Sequence, residues 1–159
     1  ELSKRQHALV TAWCMRKENE LMGILSPAAF LVEIGKVIIA QQIMTEEKEV
    51  EFRDALKELQ DVEAAEEKVI GANTPEVSST IFKLWKFEDG LVNVIGNCQN
   101  PEKADPEDQK AARILQIVRV AIPINGVATS ESIEAAKNLV TKYALDMQSF
   151  ETALESATN

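Results

Sequence analysis

The sequence predicts an all-α fold, a single-domain bundle of about six helices in which the second and fifth are the most enclosed. Three observations carry that expectation. A short polar residue stands directly before proline at Ser26-Pro27, Thr74-Pro75-Glu76 and Asp105-Pro106-Glu107-Asp108, twice with acids following. Each reads as a helix start, because the side-chain oxygen accepts a free first-turn N–H, proline gives up only an unpaired donor, and acids favour the positive end of the helix dipole. Apolar residues recur at helical spacing through most of the chain. The intervening stretches are short, and no repeat or shift in composition marks a second domain.

The first predicted helix covers residues 3–25, with Leu9, Val10, Trp13, Cys14, Leu21, Ile24 and Leu25 on one side. Lys17 and Glu20 fall inside that apolar sector, so they either pair across one turn or mark a break near residues 16–19. The second, residues 27–44, is apolar almost all round apart from Glu33 and Lys36, and is expected to be central, with those two charges at a solvent edge. A third helix over residues 46–70, capped by Thr45, carries a narrow apolar stripe of Phe52, Leu56, Leu59, Val62 and Val69, and Gly71 suits its left-handed end.

The Thr74-Pro75 start opens a fourth helix with Ile81, Leu84, Trp85, Leu91, Val92 and Ile95, and Gly90 is its candidate point of division. Residues 97–105 read as loop. The fifth helix, residues 106–122, has a wide apolar face through Ala111, Ile114, Leu115, Ile117, Val118, Ala121 and Ile122, and ends at Pro123. Asn125-Gly126 makes a helix-to-helix turn, its flanks being too brief for a hairpin. Thr129 or Ser130 then caps a last helix in which Ile133, Ala136, Val140, Tyr143, Met147, Phe150 and Leu154 form a heptad seam.

Seventeen Lys plus Arg against twenty-six Asp plus Glu give a net charge of −9, which argues against general nucleic-acid binding. The longest uncharged stretch, residues 21–32, falls short of the ~18 apolar residues of a membrane span, so none is expected. A start at Glu1 reads as a fragment or a processed product, and nothing in the chain assigns a compartment.

Chemistry is hard to find. The single histidine, His7, and the two cysteines, Cys14 and Cys98, are too few for structural zinc, and no Glu-x-x-His pair exists for a di-metal bundle site. His7 and Cys14 share a face but lie ~10 Å apart along the helix axis. No catalytic residue, cofactor or metal is therefore assigned, and Cys98 as a nucleophile is the weakest of three readings. The leading one is a non-enzymatic interaction protein, an assembly subunit, adaptor or chaperone-like module whose partner is itself or another helical protein.

The candidate interface residues are Lys17 and Glu20; Glu47, Glu51, Asp54 and Glu58 on the acidic third helix; and Tyr143, Met147 and Phe150 on the seam. The acidic face also reads as plain solvated surface, and the seam as core. Basic residues Lys110, Arg113 and Arg119 on the fifth helix read as mixed surface. The alternative function is a carrier of a small apolar ligand, in a cavity lined by Ile38, Trp85, Leu115 and Phe150.

Overall fold

The structure, a computed structural model, describes residues 1–158. Its elements in order are α1 (Leu2–Lys17), a 3-10 turn (Asn19–Leu21), α2 (Met22–Leu31), a 3-10 turn (Val32–Ile34), α3 (Gly35–Thr45), α4 (Glu49–Leu59) and α5 (Val62–Ile70). There follow α6 (Thr74–Leu84), α7 (Asp89–Asn97), a 3-10 turn (Pro101–Lys103), α8 (Gln109–Ala121), α9 (Ser130–Lys142) and α10 (Met147–Thr158). The all-α expectation holds, with no strand among the described residues, but the helices are more numerous than six. There are nine if α2 and α3, joined through one 3-10 turn, are taken as one.

The extra breaks share one cause. Gln60, Lys86 and Ala144 adopt left-handed backbone (φ 52, 58 and 51°), and each sits between two helices that the periodicity joined into one; Glu47 (φ 56°) does the same at the boundary between α3 and α4 that the sequence already marks at Thr45. At three of them the chain closes the preceding helix with a paired motif. Phe87 N–H donates to Phe82 O and Lys86 N–H to Lys83 O, with Leu145 to Val140 and Ala144 to Thr141, and Lys48 to Ile43 and Glu47 to Met44, repeating the pattern. Such ends are usually glycine, and an apolar contact across the motif is common; here the Phe82 and Phe87 rings lie 5.0 Å apart. Gly90 is therefore not the break in the fourth predicted helix, and the heptad seam is interrupted at Ala144.

Several caps are displaced from their expected residues. Pro27 lies inside α2 and Ser26 caps nothing. Thr45 ends α3, its hydroxyl donating to Gln41 O, while Asp61 caps α5 by accepting from Ala64 N–H. Asn73, not Thr74, caps α6, in a reciprocal box with Glu76. Asp105 and Pro106 form a turn ahead of α8, which starts behind Asp108. Gly71 at φ 82°, the Gly126 turn and the Thr129 cap stand as the sequence predicts.

The main core gathers α1, α2, α7, α8 and α10. Trp13 meets Phe150 at 5.0 Å between ring centroids, and α8 contributes Ala111, Ala112, Ile114, Leu115, Ile117, Val118 and Ala121, all buried. The fifth predicted helix is thus enclosed. A smaller cluster of Ala55, Ala65 and Val69 joins α4 to α5. Between α3 and α7, α6 approaches both neighbours through glycine: a Cβ on Gly35 would stand 2.5 Å from Thr74 O, and one on Gly96 2.7 Å from Ser79 Oγ. Ser78 uses the first approach, accepting from Gly35 N–H at 2.8 Å and donating to Val32 O at 2.6 Å.

The second predicted helix is only half enclosed. Leu25, Ala28, Ala29, Val32 and Ile39 are buried, but Phe30, Ile34, Val37, Ile38 and Met44 are 50, 38, 70, 47 and 66% exposed. The run Asn19–Thr45 is long and apolar enough to cross a bilayer on length and composition alone, a test that the core helix of a bundle also meets. Its inner side is part of the bundle.

Candidate functional site

Two surface features stand out, one apolar and one polar. The apolar one follows from the helical period. Phe30, Ile34, Val37, Ile38 and Met44 follow one another at steps of four, three, one and six along α2–α3 and fall on one side, with Gln41 between them and no charge. Phe30 is steadied from beneath by His7, whose ring meets it edge-on at 5.8 Å and whose Nε2 lies 2.8 Å from Ser26 Oγ. Toward the start of α2, Gly23, Ile24 and Pro27 border a groove with Trp85 and Phe87, themselves 62 and 41% exposed.

The polar feature is a cleft of about 350 Å³ bounded by α1, the Val32–Ile34 turn, α5 and α8. At its floor the Arg119 guanidinium lies between two carboxylates. Its Nε donates to Glu33 Oε1 at 2.8 Å, its Nη2 to Glu63 Oε1 at 2.5 Å, and its Nη1 points at Cys98 Sγ, 3.8 Å away. Lys36 Nζ stands 3.2 Å from Glu33 Oε2. The Arg119 and Glu33 side chains are 8 and 9% exposed, so this is a buried clasp holding α8 to the α2–α3 junction and to α5. Burial alone would raise the Glu33 pKa, but Arg119 and then Lys36 outweigh it and bring the group below its ordinary 4.5. The same network holds Arg119 charged.

Gln6, 1% exposed, completes the floor. Its amide nitrogen donates to Ile122 O at 3.0 Å and reaches Glu33 Oε1 at 3.4 Å. Both neighbours are acceptors, which fixes which way the amide points. Its oxygen is left buried without a hydrogen-bond partner.

The residues singled out from the sequence fare unevenly. Lys17 and Glu20 are exposed and lie on either side of the helix break, so they are no buried pair; the buried acid there is Glu18, whose carboxylate meets Lys110 Nζ at 2.5 Å. Glu47, Glu51, Asp54 and Glu58 do line one exposed groove with Lys68, which bonds Glu58 at 2.7 Å. Phe150 is fully buried, Met147 and Tyr143 are half-buried against the main core, and Tyr143 O–H donates to Gln116 Oε1 at 2.7 Å. The seam is core. No carrier cavity joins the four expected residues, since Leu115 and Phe150 are fully buried while Ile38 and Trp85 face outward.

Cys98 is buried, and loss of solvent pushes its thiol up to about 11 despite Arg119, so it stays protonated near neutrality. Cys14 is likewise raised to about 11 by burial and then by Glu18 and Glu20. Among the described residues no group of three or more His, Cys, Asp or Glu is placed to hold a metal. The clasp differs from the expectation of Glu33 at a solvent edge and Arg119 on mixed surface, since both are buried. The available signal is Arg119 on the same helix side as Ala112, Leu115 and Ile122.

The family model of the HDOD domain matches residues 6–101, more than half of the chain, from α1 through α7 and including Gln6, Glu33, Glu63 and Cys98. The chain belongs to the HDOD domain family. The fold of this HDOD domain is similar to the crystal structure of a virulence factor (cj0248) from Campylobacter jejuni subsp. jejuni, with a TM-score of 0.77 at 20% identity. That likeness covers 96% of this chain and 59% of the other, so the HDOD chain spans less than two thirds of that protein. It also extends the shared fold past residue 101 to α8–α10. No curated protein matches the sequence.

Proposed function

We propose that this HDOD domain is a non-enzymatic interaction module whose working part is the uncharged outer face of α2–α3. The observation that carries the reading is the exposure of Phe30, Ile34, Val37, Ile38 and Met44 along one helix side. Large contiguous apolar patches are uncommon on free soluble surfaces and mark places where another surface sits. The helix is roughly 35 Å long at the ordinary rise, enough for a partner helix to lie along it. A face without charge needs no complementary charge opposite, so the same face of a second copy is the simplest partner and another amphipathic helix the next.

The test is molar mass by light scattering over a concentration series, for the native chain and Val37→Glu. Val37 is 70% exposed, so the substitution leaves the fold intact by circular dichroism while placing a charge in the face. The expected result is a native mass that rises with concentration and a variant that stays monomeric. A native chain that is monomeric throughout rejects self-pairing. If, in addition, an amphipathic helical peptide binds native and variant alike, the face has no interaction role.

A further inference from the structure

The cleft around Arg119 is a better-built feature than a surface groove, and the interaction reading does not use it. Its charges do not quite cancel. Arg119 and Lys36 are matched by Glu33 and Glu63, leaving Asp61 at the mouth as unbalanced negative charge. One Asp61 oxygen is used in capping Ala64 N–H. Gln6 lines the floor, and its amide oxygen is buried and without a hydrogen-bond partner, in an orientation that two neighbouring acceptors fix. An unmet acceptor in so buried a place is costly unless a donor arrives to meet it. The mouth is further lined by the amide side chains of Gln60 and Gln99 and by the apolar edge of Val62, Val120 and Ile124.

What fits is a group that donates hydrogen bonds, carries positive charge, and has a short aliphatic stem. We propose that the cleft is a binding site for an alkylammonium or guanidinium group, its N–H donated to Gln6 Oε1 and its charge facing Asp61 and Glu63. The donor is either a free small amine or the side chain of a basic residue on a partner. In both cases the clasp serves the site by holding Glu33, and through it Gln6, in place.

The experiment is a titration of the isotope-labelled full chain, read by the NMR signals of the Gln6 side-chain amide and the Arg119 Nε–H. The probes are butylammonium, tetramethylammonium, and a blocked tripeptide with a central lysine. Butylammonium is expected to give saturable shifts confined to the cleft. Tetramethylammonium, which has the charge but no N–H, is expected to bind at least about tenfold more weakly, the loss that one hydrogen bond to a buried acceptor brings. Asp61→Asn, which keeps the α5 cap, is expected to weaken butylammonium by roughly two- to fivefold. Tighter binding of the tripeptide identifies a partner's side chain as the source, and tighter binding of the free amine identifies a small molecule. Shifts that stay linear in probe concentration, or equal effects of butylammonium and tetramethylammonium, overturn the proposal and leave the Gln6 oxygen to water alone.

Discussion

Replacing Arg119 with leucine removes the one cation that faces both Glu33 and Glu63. The Glu33 carboxylate is 9% exposed and that of Glu63 20%. Lys36 remains at 3.2 Å from the far oxygen of Glu33, but the oxygen that Arg119 met at 2.8 Å loses its charged donor. Breaking a buried ion pair by deleting one partner costs about 3–5 kcal/mol, because a desolvated charge is left behind. For a domain of this size roughly 3 °C of melting temperature accompanies each kcal/mol, so Arg119→Leu is expected to melt roughly 10–15 °C below the native chain by calorimetry. The informative partner is the double variant Arg119→Leu with Glu33→Leu. Removing both charges in favour of packed apolar groups is often neutral, so the double variant is expected to recover most of the loss. A single variant within about 1 kcal/mol of native, or a double variant no better than the single, would refute the account of the clasp as a desolvated pair.

Four further outcomes follow from the geometry. Gly35→Ala puts a methyl 2.5 Å from Thr74 O and 2.8 Å from Ser78 N, both backbone atoms, and is expected to cost about 2–3 kcal/mol in denaturant unfolding, whereas Gly23→Ala meets nothing within 4 Å and is expected to stabilise by about 0.5–1 kcal/mol. Lys86→Gly relieves a left-handed side-chain residue at φ 58° and is expected to gain about 1 kcal/mol with no change in helix content, a loss instead showing that the Lys86 side chain holds the turn. The Glu33 pKa is lower folded than unfolded, so its contribution is complete above 4.5 and disappears as pH falls through that value toward the folded pKa; native stability followed by urea unfolding should decline over that range, and less steeply in Glu33→Gln. Glu66 has the opposite sign, since burial raises its pKa despite the hydrogen bonds from Thr74, and its effect appears above 4.5 as stability lost with rising pH.

The helical class was legible because apolar spacing and caps such as Asn73, Thr129 and Gly71 are local signals, read within one turn of chain. The breaks at Gln60, Lys86 and Ala144 were not, because an ordinary side chain stands where glycine would have announced the turn. At Lys86 the turn is backed by the pairing of Phe82 with Phe87, and that becomes visible only once the chain has folded back. The clasp was illegible for a different reason. Glu33, Glu63 and Arg119 are separated by 30 and 56 residues along the chain, and each alone resembles a solvated charge. A buried ion pair is a property of the assembled elements, so only the presence of Arg119 within an apolar face hinted at it. The exposed α2–α3 face was misread in the opposite sense: a helix apolar all round is expected to be enclosed, and this one leaves its outer side open.

The small α4–α5 cluster has a dynamic meaning. With Ala55, Ala65 and Val69 as the buried apolar residues of its cluster, this pair has little area of its own to keep it closed. It is moored to the rest by point attachments: Lys48 Nζ to Val69 O, Glu66 to the backbone and hydroxyl of Thr74, and Glu63 to Arg119. Such a unit is expected to open as a block below the free energy of global unfolding, its amides exchanging with solvent while those of α8 stay protected, which native-state hydrogen exchange would read. One of those moorings is a wall of the Arg119 cleft. A ligand seated in the cleft would therefore be registered, without any change of shape, as slower breathing of a hairpin on the far side of the clasp.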